Sequence, residues 1–284
     1  MPTDLAADVL GLLSGSLVGF SLGLVGGGGS IFAVPLIIYV VGVPSVHVAI
    51  GTTALAVAVN AAANLVSHAR MKTVKWRCAA VFAVAGMVGA FGGSSLSKIV
   101  NGQKLLVFFA ILMMIVAAVM FARRSVEGEA DVTLSRQNLP KLLGSGLLTG
   151  ALSGFFGIGG GFLIVPALMF AAGMPIINAI GSSLVAVAAF GATAAFNYAR
   201  SGLVDWRLAV IFIAGGVGGG LAGGRVARLL GERRGALNIV FAGIVVLVAI
   251  YPKSGSWRPA AVWQIADIMR YGQETRGFAA VTGG

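Results

Sequence analysis

Gly28, Gly29 and Ser30 close a run of consecutive glycines that starts at Gly26, and Gly159, Gly160 and Gly161 close a second run about 130 positions later. Both runs lie in strongly apolar surroundings. Inside a helix each glycine costs up to about 1 kcal/mol against alanine, so a run of them breaks the helix. A helix that restarts after the break has first N–H groups without an intrahelical partner, and its dipole adds partial positive charge there. Two such starts make an anion site from backbone alone. Hydroxyls could add to it. Thr52-Thr53 and Ser182-Ser183 follow Gly51 and Gly181 in matching contexts, and could donate to an oxyanion or bond back to their own helix carbonyls. Asn60, Asn64 and His68 are spaced by four and share one helix face. Their counterparts are Phe190, Ala194 and Tyr198, so this polar stripe belongs to one half only. An amide in hydrocarbon needs a partner; Asn60 and Asn64 are read as lining the site, and His68 as a boundary histidine. Pro35 and Pro166, a few residues after each run, shape the half-helices.

The acidic residues point the same way. Asp4, Asp8, Glu127, Glu129, Asp131, Asp205, Glu232, Asp267 and Glu274 all fall outside the apolar blocks. Cation carriers and proton relays place Asp or Glu in the membrane despite a cost of about 2.5–3.5 kcal/mol, so a cation substrate is disfavoured. His47 and His68 are the only histidines, without zinc-site spacing or a nearby carboxylate. Gly157-Ile158-Gly159-Gly160-Gly161 has no preceding strand, which a dinucleotide loop requires. No enzyme activity, cofactor or metal is expected. The single cysteine, Cys78, excludes an intrachain disulfide. The net charge of +11 forms no stripe that would suit nucleic acid. It gathers in short gaps between apolar runs, as in loops that orient a membrane protein.

The elements that must position these residues are membrane helices. The chain is 58% hydrophobic and only 10% charged, with mean hydropathy +0.96. Its 43 glycines have no collagen period and suit closely packed helices. Four apolar blocks occur in each half, near 9–41, 46–69, 77–98 and 103–122, then 141–172, 176–199, 208–224 and 236–252. Most match the roughly 20 residues that span the hydrocarbon. The motif Gly15, Gly19, Gly23, Gly26, Gly28, Gly29, Pro35, Gly42, Pro44 returns as Gly146, Gly150, Gly154, Gly157, Gly159, Gly160, Pro166, Gly173, Pro175. Trp76-Arg77 likewise returns as Trp206-Arg207. The expected organisation is a repeat over 1–122, a polar linker over 123–140, a second repeat over 141–252 and a tail over 253–284. The fold expected is an all-α polytopic membrane protein whose repeats each open with a glycine-broken helical hairpin, followed by three transmembrane helices. A hairpin makes no net crossing, so each half crosses an odd number of times and the halves are inverted. The loop cations favour that arrangement over the parallel one. It places Arg70, Lys72, Lys75 and Arg77 on the cytoplasmic side with the cations of 123–141 and 225–234, leaving Lys98, Lys104, Arg200 and Arg207 outside. Glycines spaced by four, such as Gly15, Gly19 and Gly23, are read as a packing face rather than a site.

The doubled glycine motif with Val34-Pro35 and Val165-Pro166, together with Gly51-Thr52-Thr53 and Gly181-Ser182-Ser183, resembles the sulfite exporter TauE/SafE family of permeases over about residues 9–252. The resemblance implies a multi-pass protein of the bacterial inner membrane that exports a small sulfur-containing anion such as sulfite, a sulfonate or sulfoacetate. Carried over by motif, it implies a site at Gly26, Gly28, Gly29 and Ser30 and at Gly157, Gly159, Gly160 and Gly161. The expected partners are this anion and the lipid bilayer, and a homodimer is compatible with the sequence. An anion channel and a non-transporting membrane scaffold are the alternative readings.

Overall fold

A computed structural model of the chain describes residues 5–109, 111–112, 135, 138–157 and 160–230. Most of the linker, the expected helix near 236–252 and the 253–284 tail lie outside the described residues. Those described form helices and connecting loops. α1 spans Leu5–Val25 and runs into a 3-10 segment, Gly26–Phe32. A short helix Ala33–Pro35 and a wide π turn Leu36–Val41 complete the first block. α2 (Val46–Arg70) and α3 (Trp76–Ser97) follow, then a helical stretch at 102–109. The second half has α4 (Leu139–Phe156), α5 (Gly161–Ala172), α6 (Ile176–Ala199) and α7 (Trp206–Leu230).

Among the described residues five helices are long and apolar enough to cross a membrane: Leu5–Leu24, Val46–Arg70, Trp76–Ser97, Ile177–Ala199 and Trp206–Val226. Helices answer the demand that every backbone group in lipid be bonded internally. Local sequence fixes their ends. Ser45 caps α2 by accepting from the Val48 N–H at 3.4 Å, and Asp205 caps α7 by accepting from Leu208 at 3.0 Å. Gly157 and Gly173 close α4 and α5 in the left-handed conformation, at φ 64° and 69°, which glycine adopts without steric cost. α1 takes in Asp8, which hydropathy leaves outside the first block. There the carboxylate meets the helix N-terminus and pairs with Arg207 at the start of α7.

The halves interleave. α1 of the first half lies along α7 of the second, and α3 of the first along α4 of the second. Their faces are glycine seams, as the four-residue spacing predicts. A Cβ on Gly15, Gly19 or Gly23 would run into the carbonyls of Phe212, Gly216 or Gly220, so α1 and α7 are parallel. Gly146, Gly150 and Gly154 meet Phe82, Gly86 and Ala90 in the same way. α2 and α6 form the centre and run antiparallel: Gly51 packs on Tyr198, Gly191 on Ala54 and Ala58, and Gly181 on Thr73.

Candidate functional site

Both glycine runs interrupt their helices, and the chain folds back at each. Gly26 adopts φ 70°, Gly157 64° and Gly160 64°. Beyond the turns, Gly29 lies against Ser21 and Leu22 of α1, and Gly160 against Ser153 of α4. The ends of the first hairpin are held on one side. Asp8 of α1 pairs with Arg207, while Thr52 near the start of α2 accepts from the N–H of neighbouring Asp205 at 2.9 Å. Both ends of the first hairpin therefore lie beside the same loop.

Two features of the breaks are not legible in the sequence. The first break is not an unwound turn. Gly26–Phe32 stays wound as a 3-10 helix and passes into the π turn after Pro35, where the N–H groups of Gly42 and Val43 both donate to the Ile37 carbonyl at 3.1 Å. Proline offers no N–H to a regular α ladder, and the helix widens after it. The left-handed turns also do not meet at one depth. Gly26 packs on Ile180, one turn into α6, and Gly157 on Ile50, one turn into α2. Because α2 and α6 are antiparallel, these positions lie towards opposite ends of the pair. The cause is length: α1, at 21 residues, rises about 30 Å and nearly crosses before it turns. What meets between the turns is the returning backbone, the 3-10 segment against α5.

Gly28 lies in the 3-10 segment, Gly29 and Ser30 are buried there, and Gly160 and Gly161 are buried at the start of α5. Gly159 lies outside the described residues. Gly160 caps α5 without any side-chain hydrogen bond, and its carbonyl accepts from Leu163 and Ile164 at 2.9 and 3.0 Å. The amides of Gly161 and Phe162, ahead of those donors, open the helix and have no intrahelical acceptor. Pro35 ends the short first-half helix, whereas Pro166 sits inside a continuous α5.

The predicted hydroxyls are all fully buried, and their bonds are to backbone. Ser182 accepts from the Lys75 N–H at 2.9 Å, mirroring Thr52 on Asp205. Thr53 shares one proton among the carbonyls of Ala49, Ile50 and Gly157, at 2.8, 3.0 and 3.3 Å, and so ties α2 to the second break. Ser183 donates to Ile180 at 2.7 Å. Asn64 donates to the Asn60 carbonyl at 2.9 Å and lies beside Gly23 and Gly220. Asn60 packs on Gly216 with both amide atoms buried and unpartnered. Its counterpart Phe190 packs on Gly86 in the same manner.

Sequence reasoning passed over Ser21 and Ser153. Both are buried, both hydroxyls have no partner, and each stands where its hairpin turns back. The available signal was a hydroxyl in an apolar block about one helical turn before a glycine break. At the C-terminal end of α6, Lys98 donates to the Asn197 carbonyl, the Asn197 Oδ1 and the Ser201 Oγ at 2.9, 2.8 and 2.8 Å. Burial first, and the Arg200 charge second, lower its pKa from the usual lysine value. An apolar groove of about 500 Å³ between α2 and α6, lined by residues such as Leu55, Ala58, Ala192, Phe196 and Trp206, contains none of the predicted site residues.

Residues 11–251 match the family described as sulfite exporter TauE/SafE. The chain belongs to that family. A probable membrane transporter protein of Xylella fastidiosa (strain Temecula1) is 53% identical over 246 residues, covering 86% of this chain and 94% of that protein. The probable membrane transporter YunE of Bacillus subtilis is 26% identical over 85% of this chain and 93% of its own length. A probable membrane transporter protein of Haemophilus influenzae is 30% identical over 68% and 74%. No solved structure matches. The TauE/SafE family is one of membrane transporters, and the apolar helices agree with that membership.

Proposed function

We propose that the chain exports a small sulfur-containing anion of the sulfite, sulfonate or sulfoacetate class across the bacterial inner membrane. The observation that carries this reading is the packing of two backward-turning glycine segments against each other within the protein. The anion is held by backbone donors of Gly159-Gly160-Gly161 and faced by Gly28-Gly29-Ser30, whose 3-10 winding commits most of its amides to its own carbonyls. Thr53 and Ser183, with Thr52 and Ser182 behind them, fix the surrounding backbone, and Asn60 and Asn64 line one side. Binding at helix starts needs no buried Lys or Arg, which suits spans that hold no ion pair at their centre among the described residues.

The two halves act as inverted repeats. The antiparallel run of the matched helices α2 and α6 supports inversion, since a parallel duplication would align them. So do the paired contacts, Thr52 with Asp205 and Ser182 with Lys75, which exchange the halves. Alternating access then follows from rocking one repeat against the other around the site. An inside-negative potential supplies about 2.3 kcal/mol per charge per 100 mV, an outward bias of about fifty-fold for a monoanion. No coupling ion is needed. The test is sulfite efflux from proteoliposomes at fixed pH and sodium: an imposed inside-negative potential accelerates it, and indifference to potential contradicts electrogenic uniport. Conductance far above transporter turnover in a bilayer recording selects a channel instead.

A further inference from the structure

Ser153 is 1% exposed, and its hydroxyl has no hydrogen-bond partner. Other hydroxyls on α4 do not behave this way. Ser145 donates to the Lys141 carbonyl at 2.6 Å and Thr149 to that of Ser145 at 2.7 Å, the usual return to the helix's own backbone. Ser153 turns instead toward the cap of α5. Its Oγ stands 2.9 Å from where a Cβ on Gly160 would lie. Thr53, the other hydroxyl at this break, is committed to carbonyls. A buried hydroxyl left unmatched costs about 1–3 kcal/mol, so a group that accepts its proton is favoured strongly. Directly beside it, α5 is a 12-residue helix opened by Gly160 and Gly161 with no side-chain cap, and its first amides are further donors.

We propose that the Ser153 hydroxyl and the opening amides of α5 together form one oxyanion-binding subsite, with Ser153 donating to an oxygen of the ligand. The inference rests on the anion-transport reading and adds to it the side chain that selects an oxyanion over a halide, because a hydroxyl and amides set apart in space match several ligand oxygens at once.

The experiment measures binding of sulfite, under anaerobic buffer, and of chloride to the purified full chain by calorimetry, with uptake kinetics in proteoliposomes alongside. Ser153→Ala raises the sulfite Kd and the transport KM about ten-fold or more, leaves the maximal rate within about two-fold, and leaves chloride binding unchanged. Ser153→Cys, of similar shape but a weak donor, gives the same pattern and covers the case of an alanine variant that fails to fold. If the wild-type chain binds sulfite and either variant binds it equally well, the subsite is wrong while the transport reading stands. If the wild-type chain binds neither sulfite nor sulfoacetate, the transport reading itself fails and takes the subsite with it.

Discussion

The two glycine breaks are spelled almost alike and fold differently. The first, Gly26-Gly27-Gly28-Gly29, winds on as a 3-10 helix and then as a π turn. The second ends α4 cleanly at Gly157 and restarts as regular α-helix from Gly161 after a left-handed Gly160. A 3-10 helix spends its amides on carbonyls three residues back, whereas a fresh α-helix leaves its first amides unspent. Under the proposed function the second break is thus the stronger anion donor, although the motif is the same. Between matched sequences, the neighbours decide. Gly29 lies hard against the α1 backbone at Leu22 and Ser21, while Gly160 meets only the Ser153 side chain.

The largest effect expected is on transport. Replacing Gly160 or Gly29 by Leu brings sulfite flux in proteoliposomes to background, since the side chain fills the space between the returning segments. Full activity of both variants would remove the site from the glycine breaks. Alanine sharpens the contrast. Gly29→Ala presses a methyl into backbone that has no rotamer to yield, and costs about 3 kcal/mol. Gly160→Ala keeps clear of the α4 backbone but meets the Ser153 Cβ, which no χ1 rotation moves, so it costs the left-handed penalty of about 1–2 kcal/mol and a small shift of α4. Thermal unfolding in detergent ranks them; the reverse order would mean that the first break is the looser one.

Asn60 offers a smaller test of how the halves differ. Its unpartnered amide stands where the other half has Phe190. Asn60→Leu raises stability by about 1–2 kcal/mol by deleting buried polar atoms without partners, and it weakens sulfite binding. Greater stability with unchanged affinity assigns Asn60 to packing alone. The smallest effect lies at the matched loops. Lys72 holds φ 56° where the second half has Gly202 at 67°. Lys72→Gly relieves a left-handed strain and raises stability by about 0.5–1 kcal/mol; a loss of stability would show that the lysine side chain matters more than its backbone.

Much of the fold is legible in the residues. Glycines spaced by four marked packing faces on α1 and α4, because spacing sets a helix face, but their partners α7 and α3 came only with the fold. The breaks were legible because consecutive glycines suit no helix interior. Three features were not. Nothing in Gly26–Gly29 distinguishes a 3-10 winding from an unwound turn, since that depends on how closely Gly29 can approach α1. The depth of each turn depends on the rise of α1 and α4 and on the antiparallel setting of α2 and α6, which are tertiary facts. For the site, Thr52 and Ser182 stood out in sequence as hydroxyls for a ligand, and each accepts a loop amide from the opposite half. At the breaks, Ser21 and Ser153 carry uncommitted hydroxyls and looked ordinary, because a serine shows its partner only once its helix has neighbours.

The central claim is that a sulfur oxyanion is held where α5 begins. Selenite, a heavier analogue of sulfite, locates it directly through anomalous scattering from crystals of the full chain. The account predicts a selenium peak within hydrogen-bonding reach of the Gly161 amide and the Ser153 hydroxyl, facing the Gly28–Ser30 segment. A peak elsewhere between the helices, with that position empty, would contradict it.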